Sequence, residues 1–149
     1  MLSNEEIDKR FPVWEAMSDL FLDTELQESD YKFIANTVVK SGYSPQEINN
    51  IFWQEVLLGV GDNLRCIAGE WAGFNPIWLK DRILDVLACE QKTLGAGGIL
   101  SAATLVEITQ KEWLKVCRFL PNEHAEAMQP PTIYSESGLK RLWKRWFSD

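Results

Sequence analysis

The chain has 149 residues, 46% of them hydrophobic and 11% aromatic, with a formal net charge of −7. A chain of this length is most simply one domain, residues 1–149, and can bury about two-thirds of its unfolded surface, enough for a core without staples. The first thirty residues hold Glu5, Glu6, Asp8, Glu15, Asp19, Asp23, Glu25, Glu28 and Asp30 against only Lys9 and Arg10, so the acidic excess is concentrated there. That balance argues against nucleic acid, whose backbone demands Lys and Arg, and suits a basic protein partner.

Ser3 and Glu6 form a capping-box pattern that opens an acidic helix, and Pro12 is expected to restart or bend it. Val13, Met17, Leu20 and Phe21 then repeat at helical spacing, with Glu15 and Asp19 opposite. Asp23 to Ser29 is a polar connection. Tyr31, Ile34, Ala35 and Val38 mark the next helix, capped by Ser29 or Asp30 and stopped by Gly42.

Ser44-Pro45-Gln46-Glu47 is the strongest local signal: Ser caps, Pro takes the first helical position, and Glu reaches back to the cap. Ile48, Ile51, Phe52 and Val56 follow on one face, widened by Trp53, Leu57 and Leu58, which predicts a central, largely buried helix ended by Gly59 and Gly61. Leu64 to Ala68 is compatible with a short helical turn. Gly69 to Phe74 is a structured connection, because two glycines four apart do not suit a helix interior. Two readings of it stand side by side. Trp71 and Phe74 plug the core, or Glu70 and Trp71 form a surface site as its charge and its anchor.

Asn75 and Pro76 fit a helix start, and Leu79, Ile83, Val86 and Leu87 its buried stripe, ending before Gly95-Ala96-Gly97-Gly98. Those glycines read as a helix–helix link, since the segment lacks the G-K-[ST] of a phosphate loop. Ile99, Ala102, Ala103 and Val106 begin another helix. A second capping-box pattern, Thr109 with Glu112, predicts a break before Trp113, Val116, Cys117 and Leu120. After Pro121 comes a loop with a helical turn near Glu123 to Met128. Leu139, Leu142, Trp143 and Trp146 then oppose Lys140, Arg141, Lys144 and Arg145, a pattern expected to dock on acidic helices. No segment alternates with period two. The expected fold is all-α: six to eight helices in an irregular bundle.

Chemistry is sparse. The one histidine, His124, lies in a polar stretch and reads as a surface residue with no nucleophile partner. Cys66, Cys89 and Cys117 make no CxxC pair, so they read as free thiols in a reducing compartment and build no zinc site. No apolar run suits a signal core or a membrane span, so the expected home is the cytoplasm. No cofactor, metal or catalytic residue is assigned.

Three short motifs resemble an uncharacterised family of small bacterial proteins. They are Leu22-Asp23-Thr24-Glu25, Ser41-Gly42-Tyr43-Ser44 and Glu70-Trp71-Ala72-Gly73-Phe74, and the likeness spans residues 11–87 or so. The resemblance implies a bacterial source and no particular activity, so no catalytic role is carried over.

The leading expectation is a non-enzymatic acidic domain that binds a basic protein, such as an immunity-type inhibitor masking a toxin. Its binding residues are Asp23, Glu25, Glu28, Glu70 and Trp71. One rival is an enzyme acting on a small molecule or using a hard metal, with Asp23 and Glu25 sharing a pocket with Glu70. The other is a structural or adaptor module that associates through leftover apolar helix surface. The oligomeric state is left open.

Overall fold

The computed structural model describes residues 2–65, 69–89 and 100–130. Cys66, the Gly95–Gly98 link and the basic segment around Trp143 and Trp146 lie outside the described residues. The chain is all-α, with no strand among the described residues. Helix α1 spans Asn4–Ser18 and continues as a 3-10 turn, Asp19–Phe21. Helix α2 covers Glu28–Ser41. A long helical run follows: α3 (Pro45–Ile51), a π-helical turn (Phe52–Val56), α4 (Leu57–Val60) and a 3-10 turn (Gly61–Arg65). Helices α5 (Pro76–Ala88), α6 (Ala102–Cys117) and the short α7 (Glu123–Glu126) complete the set.

The starts are as the residue types demand. Ser3 Oγ accepts from the Glu6 N–H at 3.1 Å, and Ser44 Oγ from the Glu47 N–H at 3.1 Å. Asn75 Oδ1 accepts from both the Ile77 and Trp78 N–H groups, at 3.0 and 3.1 Å. The cap of α2 is Gln27, not Ser29 or Asp30. Asp30 is instead the carboxylate that reaches back, accepting from the Gln27 N–H at 2.8 Å.

Other local expectations yield to packing. Pro12 does not divide α1: it lies on the exposed side, beside exposed Asp8 one turn earlier, while Val13, Trp14 and Met17 are held in the core. The lost hydrogen bond therefore falls on the wet face. Thr109 does not break α6. It is buried, and its hydroxyl donates to the Leu105 carbonyl at 2.7 Å, so the helix passes through it. Gly59 and Gly61 do not stop the central run, which continues as the 3-10 turn. His124 is buried rather than on the surface, with its backbone carbonyl accepting from Asn49 Nδ2 at 2.8 Å.

The core sits on the central run. α1 packs on α2 and on the π turn, α5 on α4, α6 on α2, and α7 on α3. Phe52 is the aromatic hub. Its ring lies 4.5 Å from Trp113 of α6, 4.9 Å from Trp53 and 5.7 Å from Phe21. Trp14, Trp53 and Trp113 are fully buried. Asn49 links the polar atoms at this end, donating to Pro45 and His124 and accepting from Trp113 Nε1 at 3.2 Å.

The π turn carries a buried charge. Glu55 is 2% exposed. Its carboxylate accepts from Trp14 Nε1 at 2.8 Å and from the Arg10 guanidinium, both on α1. Arg10 also donates to Glu6, 2.9 Å away, and Glu6 accepts from the Tyr43 hydroxyl at 2.8 Å. Arg10 and then Tyr43 hold Glu6 below the usual carboxylate value. Burial, then Glu6, pushes Tyr43 up to about 12. The chain of contacts leads from the surface into the core and fixes α1 against the π turn.

Removing one partner of a buried ion pair strands the other. Arg10→Met should therefore cost about 3 kcal/mol at neutral pH. Glu55→Gln should cost less, because Arg10 has a solvent-facing side to turn to. Urea denaturation of the two variants checks this; equal or negligible losses would mean that Arg10 does not support Glu55.

Candidate functional site

The connection Gly69–Phe74 is held by one side chain. Asn63, in the 3-10 turn after α4, donates from Nδ2 to the carbonyls of Phe21 (2.8 Å) and Glu70 (2.9 Å). Its Oδ1 accepts from the Glu70 N–H at 2.9 Å. The Asp23 N–H donates to the Glu70 carbonyl at 2.8 Å. Thus the Leu22–Glu25 and Glu70–Phe74 motifs, far apart in sequence, meet main chain to main chain. Gly69 lies so close to Asn63 that a Cβ would stand 2.5 Å from its carbonyl oxygen, and Gly73 has φ of +145°, a conformation L side chains rarely adopt.

Asp23, Glu25, Glu28, Glu70 and Trp71 are all exposed. Asp23 and Glu70 are brought together, though through their backbones. The Glu70 carboxylate turns into its own loop and accepts from the Ala72 N–H at 3.0 Å. Glu28 stands in the first turn of α2, 3.6 Å from Lys32. Trp71 is 68% exposed, so of the two readings of the loop the surface placement holds for it. Phe74 is partly buried and stacks on Trp78 at 5.6 Å.

Around this loop lies apolar surface that periodicity alone did not single out. Phe33, Ile77 and Trp78 are 60%, 74% and 48% exposed. Each sits off its helix's buried stripe, and a large apolar residue on a wet face is a signal that the sequence does carry. A cleft of about 340 Å³ opens between α1, α2 and the loop, walled by Pro12, Ala16, Phe33 and Phe74, with Glu15 and Asp19 in its lining. A shallower one, about 300 Å³, runs from Phe11 and Pro12 to Pro76 and Ile77. Pro12 belongs to both, so the two form one surface.

Asp19 is the charged residue of interest there. The neighbouring hydroxyls are engaged elsewhere: Ser18 donates to the Glu15 carbonyl and Thr37 to that of Phe33. Among the described residues neither Asp19 nor Glu15 has a cationic partner. Burial, then Asp30 and Glu15, raises Asp19 to about 6. The cleft thus holds a partly desolvated carboxylate with no ion-pair partner among the described residues.

A larger cleft, about 610 Å³, lies between α3 and α7 and is lined mainly by the amides of Gln46, Asn49, Asn50, Gln54 and Gln129. Asn49 is already committed to structural hydrogen bonds. No three His, Cys, Asp or Glu side chains converge as metal ligands among the described residues. Burial pushes the Cys117 thiol up to about 12, far from a reactive thiolate.

The chain belongs to the family described as Domain of unknown function (DUF7079), whose model matches residues 8–119. That span includes the Asn63 knot, the aromatic surface and Asp19. No curated protein and no solved structure matches the chain.

Two outcomes follow. Asn63→Ala removes three hydrogen bonds and should cost about 2 kcal/mol, and Gly69→Ala should also destabilise; unchanged urea midpoints for both would show that the loop is not held this way. Asp19 has a folded pKa of about 6 against an ordinary 3.8, so stability associated with its protonated form is present below 3.8 and lost as pH rises through 6. Asp19→Asn should therefore be more stable than the parent at pH 7, by about 1 kcal/mol after allowing for solvent screening of a half-buried group. The gap should close towards pH 4. A constant gap across this range would contradict the assignment.

Proposed function

We propose that this member of the DUF7079 family is a non-enzymatic acidic protein-binding domain whose partner is basic. In its sharpest form it is an immunity-type inhibitor that masks a basic toxin in the bacterial cytoplasm. The observation that carries the reading is the set of exposed large apolar side chains, Trp71, Trp78, Ile77 and Phe33, together with the cleft carboxylates Glu15 and Asp19, which have no ion-pair partner among the described residues. Contiguous apolar surface rimmed by charge is how proteins dock, and tryptophans are the commonest energetic anchors of such contacts. The first thirty residues add a field that would steer a cationic partner. Trp71 sits on a loop held at Glu70 by two hydrogen bonds to Asn63, which limits the ordering cost on binding. Asp23, Glu25 and Glu28 add exposed negative charge, which acts on the association rate more than on the affinity.

A second reading, small-molecule binding, is favoured by the amide-lined cleft between α3 and α7, whose volume falls within the range of ligand sites.

A pull-down from the native cell lysate separates them, using the parent chain, Trp71→Ala and the double variant Glu25→Lys with Glu28→Lys. The expected result is one stoichiometric basic partner, released as salt rises past the screening range, reduced by charge reversal and lost with Trp71→Ala. Capture that is indifferent to both variants, or no partner at either low or high salt, would overturn the protein-binding reading.

A further inference from the structure

We propose that the cleft between α1, α2 and the Gly73–Phe74 turn seats a single arginine side chain of the partner protein, with its guanidinium on Asp19 and Glu15 and its stem against Phe33 and Phe74. The inference rests on the protein-binding reading only in assigning that arginine to a partner.

The occupant follows from what the cleft lacks. Pro12, Ala16, Phe33 and Phe74 give it apolar walls, Glu15 and Asp19 lie in its lining, and neither carboxylate forms an ion pair with a described lysine or arginine. Ser18 and Thr37, the hydroxyls at hand, donate into their own helices, so neither solvates Asp19. A carboxylate partly withdrawn from water beside two other carboxylates is disfavoured in the free chain. A cation entering the cleft would remove that cost and gain charge-assisted hydrogen bonds. The surrounding charges have the same sign: Glu15 from α1 and Asp30 from α2 both act on Asp19.

Arginine meets these conditions better than lysine. Its guanidinium is planar, weakly hydrated and able to stack on an aromatic ring while donating to a carboxylate. Phe33 and Phe74 supply the rings. Phe33 is 60% exposed on α2, where no partner within the described chain covers it. A lysine ammonium would have to surrender a tighter hydration shell to enter the same space.

The test uses free amino-acid derivatives and needs no partner. The ¹⁵N-labelled chain is titrated with N-acetyl-arginine methylamide, the lysine counterpart, and the neutral isostere N-acetyl-citrulline methylamide, with backbone amide shifts followed by NMR. Saturable shifts centred on Asp19, Phe33, Thr37, Gly73 and Phe74 are expected for arginine, weaker ones for lysine and none for citrulline. Asp19→Asn should weaken arginine binding about tenfold, in line with losing a charged hydrogen-bond acceptor, while its spectrum stays dispersed. Phe33→Ala, at an exposed position that does not carry the core, should weaken it as well.

Shifts mapping elsewhere, equal shifts with citrulline, no effect of Asp19→Asn, or lysine binding as tightly as arginine would each overturn the assignment. The two readings fail separately. A basic partner captured through Trp71 with no arginine shift leaves the protein-binding reading and removes the arginine seat. Arginine seated in the cleft with no partner captured does the reverse.

Discussion

The fold depends on one buried carboxylate. The central run from Pro45 to Val60 is covered by α1, α5 and α7 along its length, and it carries Glu55 on the face that α1 covers. An ionised group that far from water must be both neutralised and hydrogen-bonded. Arg10 and Trp14 do this from a single helix, so α1 has only one register against the run. The π turn at Phe52–Val56 is where this happens. Widening the helix by one residue there goes with Phe52 meeting Phe21 and Trp113 on one side and Glu55 meeting α1 on another.

With α1 fixed, its C-terminal end fixes the surface. The turn Asp19–Phe21 delivers the Phe21 carbonyl to Asn63, and Asn63 in turn holds Glu70. The loop that presents Trp71 is thus tied to the same helix that presents Asp19. The core and the candidate binding surface share an element, and the aromatic rim and the carboxylates keep a set spacing without help from a ligand.

Asp19 shows how such a surface differs from ordinary wet helix faces. Most acids of the first thirty residues are exposed, which is the commonest use of charge. Asp19 is partly withdrawn from water beside Glu15 and Asp30, and no described base offsets it. In the free chain that arrangement opposes stability, which is the trade often made at binding sites. The exposed rings around it make a similar point, since Ile77 and Trp78 gain nothing from solvent.

The amino-acid sequence by itself determined the all-α class, most helix starts and the buried stripes. Ser3, Ser44-Pro45 and Asn75-Pro76 act through hydrogen bonds a few residues long, and Val13, Met17, Ile34, Val38, Leu79 and Ile83 through periodicity; both are local and so legible in a string of residues. Trp71 and Glu70 were legible as a structured loop, because two glycines so near each other cannot serve a helix. Tertiary structure decided the rest. Whether Pro12 or Thr109 interrupts a helix depends on which face packing buries, and both helices run through. His124 lies in a polar stretch, yet Asn49 and the α3 surface enclose it. Asp19 looks like Glu15 or Asp23 in the sequence, and only the approach of α2 and the Gly73–Phe74 turn, with Ser18 and Thr37 bonded elsewhere, withdraws it from water with no ion-pair partner among the described residues. Desolvation is a property of what other elements bring, and no pattern within one helix records it.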